Sequence, residues 1–113
     1  MVKQGDIIKI NLDPKVGHEQ KGYRPYVYLS HETVDKYSNI AIFAPISNTA
    51  RIYPFYLQLP AQVKTTGKIL LDQIVAIDYK QRESKFIESL PDDYLNQVLN
   101  IARAVFQKMT NKN

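Results

Sequence analysis

The chain contains no cysteine among its 113 residues, which excludes disulfide bonds and thiolate metal sites. No apolar segment approaches the length that spans a membrane, and the stretch 1–6 has no apolar signal region. Internal repeats, low-complexity tracts and linkers are also lacking. We therefore expect a soluble protein of the cytoplasm, without a membrane partner, that folds as one domain.

Positive charge is only in mild excess. Fifteen Lys and Arg against eleven Asp and Glu give a net charge of +4, and the pI is about 9.3. Such a balance fits a partner that bears phosphates or an acidic protein segment. It fits a solvated surface with a few spare lysines equally well. The second basic cluster, Lys80, Arg82 and Lys85, is assigned to a solvated loop.

Short segments rich in Ile, Val, Tyr and Phe fill the first two-thirds of the chain. Their boundaries are Pro, Gly, Asn and Asp, which is typical of β-strands. The polar stretch 31–38 predicts one helical turn. Five to seven short strands in about ninety residues favour a small SH3-like or OB-like barrel over an open flat sheet. The predicted strands are 7–12, 25–30, 40–46, 53–59, 69–72, 74–77 and 86–89.

The C-terminal part changes to a helical period. Apolar side chains from Leu95 to Met109 fall on one helical face. Ser89 is the predicted N-terminal cap, Pro91 suits the first turn, and Lys108 complements the negative end of the helix dipole. Strands followed by one long helix indicate an α+β fold, with the helix packed on a small, strongly bent sheet or barrel.

One loop stands out between the first two predicted strands. It runs from Asp13 to Pro25 and is longer than a hairpin needs. Its glycines permit unusual backbone angles, and its prolines fix the chain direction. Among them stand His18, Glu19 and Arg24. Titratable side chains held by rigid turn residues are typical of a loop that binds or reacts.

Common catalytic motifs are missing. No spacing of His, Asp and Glu resembles a metal site, and no glycine-rich phosphate cradle is present. The Ser and His residues also lack a nucleophile elbow. We expect no metal ion and no cofactor.

Several short motifs follow one another along nearly the whole chain. In this order and at this spacing they resemble the signature of the MazF/PemK (Kid) family of toxin endoribonucleases. One Gly-x-Glu-Gln motif alone would be weak, whereas the ordered set is specific. The motifs are Gly5-Asp6-Ile7, Asp13-Pro14, Gly17-His18-Glu19-Gln20, Gly22, Arg24-Pro25, Ala44-Pro45-Ile46-Ser47, Gly67-Lys68-Ile69-Leu70-Leu71-Asp72-Gln73, Ile77-Asp78 and Leu90-Pro91-Asp92-Asp93.

The resemblance implies a single toxin domain over residues 1–113, built as an SH3-like β-barrel (CcdB/PemK-like) with a C-terminal α-helix. It implies a homodimer that acts as the toxin of a type II toxin–antitoxin system. The implied activity is that of an mRNA interferase, which cleaves single-stranded RNA at a short preferred sequence without a metal ion. It also implies a cognate antitoxin whose flexible acidic segment lies across the RNA groove.

Metal-free RNA cleavage uses the 2′-hydroxyl of the substrate as nucleophile, and leaves a 2′,3′-cyclic phosphate and a 5′-hydroxyl. It needs a base, positive donors for the phosphorane and an acid for the leaving oxygen. Arg24 matches the family's catalytic arginine, and its planar donors match two phosphate oxygens. An ordinary surface salt bridge is the alternative. Ser47 stands where many members have a catalytic threonine, and Thr49 is the alternative hydroxyl.

The identity of the general base stays open between His18 and Asp72. His18 has an ordinary pKa near 6.5, which suits acid–base work, and the plasmid-borne branch uses a histidine there. Asp72 matches the aspartate that the same branch uses as a base. That branch pairs its aspartate with an arginine two residues earlier, where this chain has Leu70. Alternation predicts that Leu70 and Asp72 share one strand face. The alternative role for Asp72, with Gln73, is to hold the first loop by hydrogen bonds.

A further set of residues is predicted to contact RNA. Lysines and one arginine flank the site and can follow phosphates, and Tyr23 can stack on a base. Glu19 and Gln20 are expected to organise the loop amides. The complete predicted RNA-binding set is Lys15, Glu19, Gln20, Lys21, Tyr23, Asn48, Thr49 and Arg51.

Two other functions fit the same fold. The first is a non-catalytic toxin that poisons DNA gyrase by protein contact, which depends on residues at the C-terminal end of the last helix. That end reads Phe106-Gln107-Lys108-Met109 here and does not indicate such a role. The second is a plain RNA-binding SH3-like domain. Arg24 and Ser47 together with the first loop favour the endoribonuclease.

Overall fold

The computed structural model describes residues 2–12 and 23–110. Two α-helices, α1 at Glu32–Tyr37 and α2 at Asp92–Val105, accompany the strands, and a 3-10 turn spans Tyr79–Gln81. The predicted α+β class and the C-terminal helix are confirmed. The strands are β1 Asp6–Asn11, β2 Tyr23–Tyr28, β3 Ala41–Ser47, β4 Tyr56–Gln58, β5 Lys68–Leu70, β6 Val75–Ile77 and β7 Ser84–Ser89.

The strands form one seven-stranded sheet with the path β4-β5-β3-β2-β1-β7, in which β6 also pairs with β3. All of these pairs are antiparallel. One edge of β3 carries two partners, β6 beside 41–43 and β5 beside 46–47. Pro45, which has no N–H to donate, falls between these two pairings. The sheet divides at this point, so the end of β3 leaves β6 and continues with β5 and β4.

Apolar side chains are buried on both faces of the sheet, because strand residues alternate between faces. One face packs against α2, and its buried cluster includes Val27, Ile46 and Ile69 together with Val98 of the helix. The other face buries an aromatic cluster around Tyr26, Tyr28, Phe43 and Tyr79, whose rings meet edge to face at 5.4–6.2 Å. These two clusters fix the register of the strands.

Several predicted boundaries were wrong. The predicted strand 53–59 is only Tyr56–Gln58, because residues before it form a turn closed by Tyr56 N–H on the Tyr53 carbonyl at 3.0 Å. Conversely, β2 begins at Tyr23 and not at Pro25, since it pairs with the full length of β1 as far as Asn11. Tyr23 and Arg24 therefore belong to a strand and not to a loop.

Ser89 does not cap the last helix. It is the final residue of β7, and its hydroxyl donates to the carboxylate of Asp6 at 2.7 Å. Asp6 is buried and also accepts a bond from the N–H of Lys3 at 2.9 Å. Helix α2 instead follows Pro91 at its N-cap, without a side-chain cap bond, and ends at Val105. The predicted face through Met109 is therefore too long.

Lys80 is held in an ion pair and does not belong to a freely solvated loop. Its ammonium lies 2.9 Å from the carboxylate of Asp35 in α1. The same carboxylate accepts from the Tyr79 hydroxyl at 2.7 Å and from Tyr28 at 3.3 Å. Burial and then the Asp35 charge raise the pKa of Tyr28 to about 12. The contacts join the short helix to the aromatic cluster.

In the described part of the chain, no helix has the length and apolarity to cross a bilayer.

Candidate functional site

A row of three polar side chains crosses adjacent strands at one end of the sheet. In the β2–β3 pair, Tyr26 lies opposite Pro45, and continuing this antiparallel register by two residues sets Arg24 opposite Ser47. Ser47 pairs directly with Lys68 of β5. Side chains opposite one another on neighbouring strands share a face and lie about 5 Å apart at Cβ. The observed pair therefore places Lys68 beside Ser47, and the continued register places Arg24 on the other side of Ser47.

The row lies on the face that α2 does not cover. Tyr26 and Phe43 belong to the aromatic cluster on that face, and side chains two residues apart on a strand point the same way. Arg24 is two residues from Tyr26, and Ser47 is four residues from Phe43, so both side chains belong to this face. In β5, Ile69 packs in the cluster under α2, so its neighbour Lys68 faces the other side. All three row residues are half-buried at the rim of the aromatic cluster.

Two arginines act on the hydroxyl of Tyr26. Burial raises the pKa of the Tyr26 hydroxyl, and the guanidinium groups of Arg24 and Arg82 oppose part of this rise. Both arginines are thus close enough to act on one tyrosine. Arg82 is exposed in the bend before β7, in agreement with its predicted place in a solvated loop, whereas Lys85 of the same cluster lies in β7. A cationic surface of this kind suits a phosphate group.

Tyr23 stands beside Arg24 at the start of β2. It is 40% exposed. A hydrogen bond between its hydroxyl and Glu83 is the largest reason why the pKa of Tyr23 is raised and that of Glu83 is lowered. The bond fixes the ring while the ring remains accessible at the surface. Base stacking on Tyr23 stays a prediction.

The backbone of Ser47 is closely packed by Gly67. The φ of Gly67 is +117°, and a Cβ added there would lie 2.7 Å from the Ser47 carbonyl oxygen. The neighbouring Asn48 accepts a bond from the Thr66 hydroxyl at 3.2 Å. Thr49, the alternative to Ser47, accepts from the N–H of Arg51 at 3.2 Å and so shapes the turn after β3. Glycine at 67 allows β5 to approach the end of β3.

Glu88 of β7 anchors the loop that precedes Gly67. Its carboxylate accepts from the N–H of Thr65 at 2.8 Å, from the Thr65 hydroxyl at 2.7 Å, and from the N–H of Lys64 at 3.0–3.1 Å. Burial alone would raise the pKa of Glu88, but these bonds outweigh it and hold that pKa below its ordinary value. The anchored loop supports the Thr66 contact to Asn48.

Lys68 was not singled out as a site residue in the sequence. Its ammonium donates to the carbonyl of Arg51 at 2.6 Å. This bond ties the segment after β3 to β5, and two of the three ammonium donors remain for other acceptors. In the sequence, the only indication of a role for Lys68 was its place next to the motif glycine Gly67, two residues before Leu70 on a short strand.

An aromatic group adjoins the row on the same side. The guanidinium carbon of Arg51 lies 4.5 Å from the centre of the Tyr53 ring and 5.6 Å from that of Tyr56. The two rings are 4.8 Å apart with an interplanar angle of 73°. The Gln73 amide donates to the Tyr56 hydroxyl at 3.1 Å. Arg51 is thus exposed but held against two rings.

Asp72 occupies the turn after β5 and is exposed. The predicted shared strand face with Leu70 is wrong, because β5 ends at Leu70, which is itself buried. Burial, and then the charge and hydrogen bond of Asp72, raise the pKa of Tyr53. Asp72 and Gln73 therefore act on Tyr53 and Tyr56, and the first loop that they were also predicted to hold lies outside the described residues.

The remaining predicted residues lie outside the described ranges 2–12 and 23–110. They are Lys15, His18, Glu19, Gln20 and Lys21, so the choice between His18 and Asp72 as base stays a prediction. Among the residues that are described, no three His, Asp or Glu side chains are grouped so that they could hold a metal ion. The described site offers cations, hydroxyls and rings. Such a set can bind a phosphate and stabilise charge that develops on it.

Comparison with known proteins connects this site to a family. A family model for the PemK-like, MazF-like toxin of type II toxin–antitoxin systems matches residues 3–106. The endoribonuclease EndoA of Bacillus subtilis (strain 168) is 36% identical over 107 residues, covering 87% of this chain and 88% of that protein. The endoribonuclease PemK of Escherichia coli is 32% identical over 102 residues, covering 87% of this chain and 77% of that protein.

Solved structures agree with this assignment. A MazE–MazF structure from Deinococcus radiodurans matches with a TM-score of 0.81 at 28% identity, covering 93% of this chain and 95% of that chain. The seven-stranded sheet and C-terminal helix are therefore the MazF-like fold. The chain belongs to the family of PemK-like, MazF-like toxins of type II toxin–antitoxin systems.

Proposed function

We propose that this chain is the toxin of a type II toxin–antitoxin pair and an endoribonuclease that cuts single-stranded mRNA at a short preferred sequence without a metal ion. Two relatives that are more than 30% identical are named endoribonucleases, which supports the activity. The observation that carries the proposal is the Arg24–Ser47–Lys68 row on the face that α2 leaves uncovered.

In the proposed reaction the 2′-hydroxyl of the RNA attacks the adjacent phosphorus. A base removes the proton of that hydroxyl, the bond to the 5′-oxygen breaks, and an acid protonates the leaving oxygen. The products are a 2′,3′-cyclic phosphate and a 5′-hydroxyl. Water is not consumed in this step, since the nucleophile belongs to the substrate.

Each member of the row has a distinct proposed role. Arg24 donates two parallel hydrogen bonds to the equatorial oxygens of the phosphorane, where charge develops. Ser47 donates its hydroxyl to the same group. Lys68 holds the segment after β3 in place and adds positive charge. His18 and Asp72 remain the proposed acid–base residues, and Asp72 must then exchange its bond to Tyr53 for one to the substrate.

The predicted partners follow from the same surface. An antitoxin with a flexible acidic segment would neutralise the cations Arg24, Arg51 and Lys68 and cover the row. The MazE–MazF complex at 28% identity supports such a protein partner. We further propose a homodimer of single-domain subunits that acts in the cytoplasm, where mRNA is present.

A cleavage assay tests the proposal. The purified chain is incubated with a long single-stranded RNA in EDTA, the cuts are mapped by primer extension, and the new ends are analysed. Discrete cuts with cyclic-phosphate ends are expected. Intact RNA from a protein that still arrests growth would overturn the proposal and indicate a non-catalytic toxin. Cleavage that appears only after a divalent cation is added would overturn the metal-independent mechanism.

A further inference from the structure

Arg51 lies against two aromatic rings, a contact that binding a phosphate does not require. Its guanidinium carbon lies 4.5 Å from the Tyr53 ring centre and 5.6 Å from that of Tyr56, although the residue is exposed. A guanidinium that lies over an aromatic ring gains a cation–π interaction and still has N–H donors for a second partner. Stacking also reduces the rotamer freedom that binding would otherwise remove.

The two tyrosine rings that contact Arg51 are themselves positioned by neighbouring side chains. Beyond the effect of burial, Asp72 lies close enough to Tyr53 for its charge to raise the pKa of that hydroxyl, and Gln73 donates to the Tyr56 hydroxyl at 3.1 Å. Lys68 donates to the Arg51 carbonyl at 2.6 Å, which fixes the backbone. The platform formed by Arg51, Tyr53 and Tyr56 is thus preorganised in the protein alone.

The platform also lies at the right place to meet a nucleotide. Lys68, which holds the Arg51 backbone, is the direct strand partner of Ser47. An RNA whose scissile phosphate sits at the Arg24–Ser47–Lys68 row would therefore pass a neighbouring nucleotide beside Arg51. Bases in single-stranded RNA can turn their edges toward such a group.

We propose that Arg51 reads one base next to the cut, and that this base has two adjacent acceptor atoms on one edge. Guanine (O6 and N7) and cytosine (O2 and N3) have such an edge and can accept both bonds of the arginine fork. Adenine and uracil alternate donors with acceptors and accept only one. The inference rests on the proposed endoribonuclease function and assigns part of its sequence preference to Arg51.

Arg51→Lys distinguishes recognition of a base from binding of a phosphate. It keeps the charge but loses the planar fork and the stacked geometry. Wild-type protein, Arg51→Lys, Tyr53→Leu and Arg103→Lys are each given a pool of RNAs with randomised sequence, and the cut sites are sequenced. Arg103→Lys is the matched control, because it makes the same substitution at an exposed arginine of α2, on the opposite side of the sheet from the row. Thermal melting establishes that each variant is folded.

We expect guanine or cytosine to be enriched at one position near the wild-type cut sites. Which of the two is enriched identifies the base that Arg51 binds. Arg51→Lys and Tyr53→Leu should reduce that enrichment about tenfold at this position only, which is within the discrimination of one bidentate pair. Arg103→Lys should retain it. Tyr53→Leu keeps the inference falsifiable if Arg51→Lys does not fold.

Two results would overturn the inference while the proposed function stands. One is a uniform fall in cleavage of all sequences by Arg51→Lys with an unchanged preference, which would identify a phosphate contact. The other is a wild-type preference with neither guanine nor cytosine enriched near the cut. Failure of the wild-type protein to cut any RNA would instead refute the proposed function, and this inference with it.

Discussion

The substitution Gly67→Ala, which adds one methyl group beside Ser47, tests the candidate site. The φ of Gly67, +117°, is one that L side chains rarely adopt, so Gly67→Ala should cost about 1–3 kcal/mol in strain. The added Cβ would also lie 2.7 Å from the carbonyl oxygen of Ser47 and 3.1 Å from the Asn48 amide oxygen. The carbonyl is backbone and cannot rotate aside. The end of β3 must therefore move by several tenths of an ångström.

We expect two separable effects of Gly67→Ala. The free energy of unfolding should fall by about 2–4 kcal/mol, from strain plus the contact with Ser47. Cleavage per folded molecule should fall at least about tenfold, because displacements of this size misplace a reacting group. Urea denaturation measures the first effect, and single-turnover RNA cleavage under folding conditions measures the second.

Gly5→Ala is the matched control. Gly5 also has a positive φ, +92°, so its strain is comparable. Its added Cβ would meet Cδ2 of Leu95 at 2.8 Å, which is the end of a flexible side chain of α2 and lies away from the row. Gly5→Ala should lower stability but keep cleavage per folded molecule within about twofold. Wild-type cleavage by folded Gly67→Ala, or an equal loss in Gly5→Ala, would refute the reasoning.

Three further predictions concern single side chains. Ser47→Ala should reduce cleavage more than Thr49→Ala, and the reverse order in single-turnover assays would place the catalytic hydroxyl at Thr49. Glu88→Gln should lower the free energy of unfolding by about 1–3 kcal/mol at pH 7. Because the folded-state pKa of Glu88 is lowered, its contribution is present above the unfolded-state pKa and is lost as pH falls through the folded-state value, so urea titrations of wild type and variant should converge in acid. Ser89→Ala should cost about 1 kcal/mol through the lost bond to buried Asp6, whereas no change in the urea midpoint would show that the bond contributes nothing.

The sequence predicted the fold class well because its main determinants are local. The alternation in 7–12 and the helical period after Leu95 each report which side of an element is buried. Boundaries were poorer where a long-range contact decides them. Ser89 looks like a cap in sequence, but the buried carboxylate of Asp6, far away in the chain, recruits its hydroxyl. Likewise β2 extends to Tyr23 because β1 supplies partners as far as Asn11.

Site residues that belong to recognisable motifs could be predicted from the sequence. Residues that only the strand pairing brings to the site could not. Arg24 and Ser47 were identified from their motifs, and the β2–β3 register, continued two residues beyond Tyr26 and Pro45, sets them opposite one another. Lys68 was missed, because only the division of the sheet at β3 brings β5 beside Ser47. The stacking of Arg51 on Tyr53 was also missed, since spacing by two residues in a turn indicates no ring contact by itself.

The most direct test of the account is the cleavage rate of Arg24→Ala on a mapped RNA substrate in EDTA, beside the wild-type protein. The account assigns two charge-assisted bonds in the transition state to this side chain, so the single-turnover rate should fall at least about 100-fold. The urea midpoint should change little, because Arg24 is not in either buried apolar cluster. A folded Arg24→Ala protein that cuts the same sites within threefold of the wild-type rate would contradict the central claim.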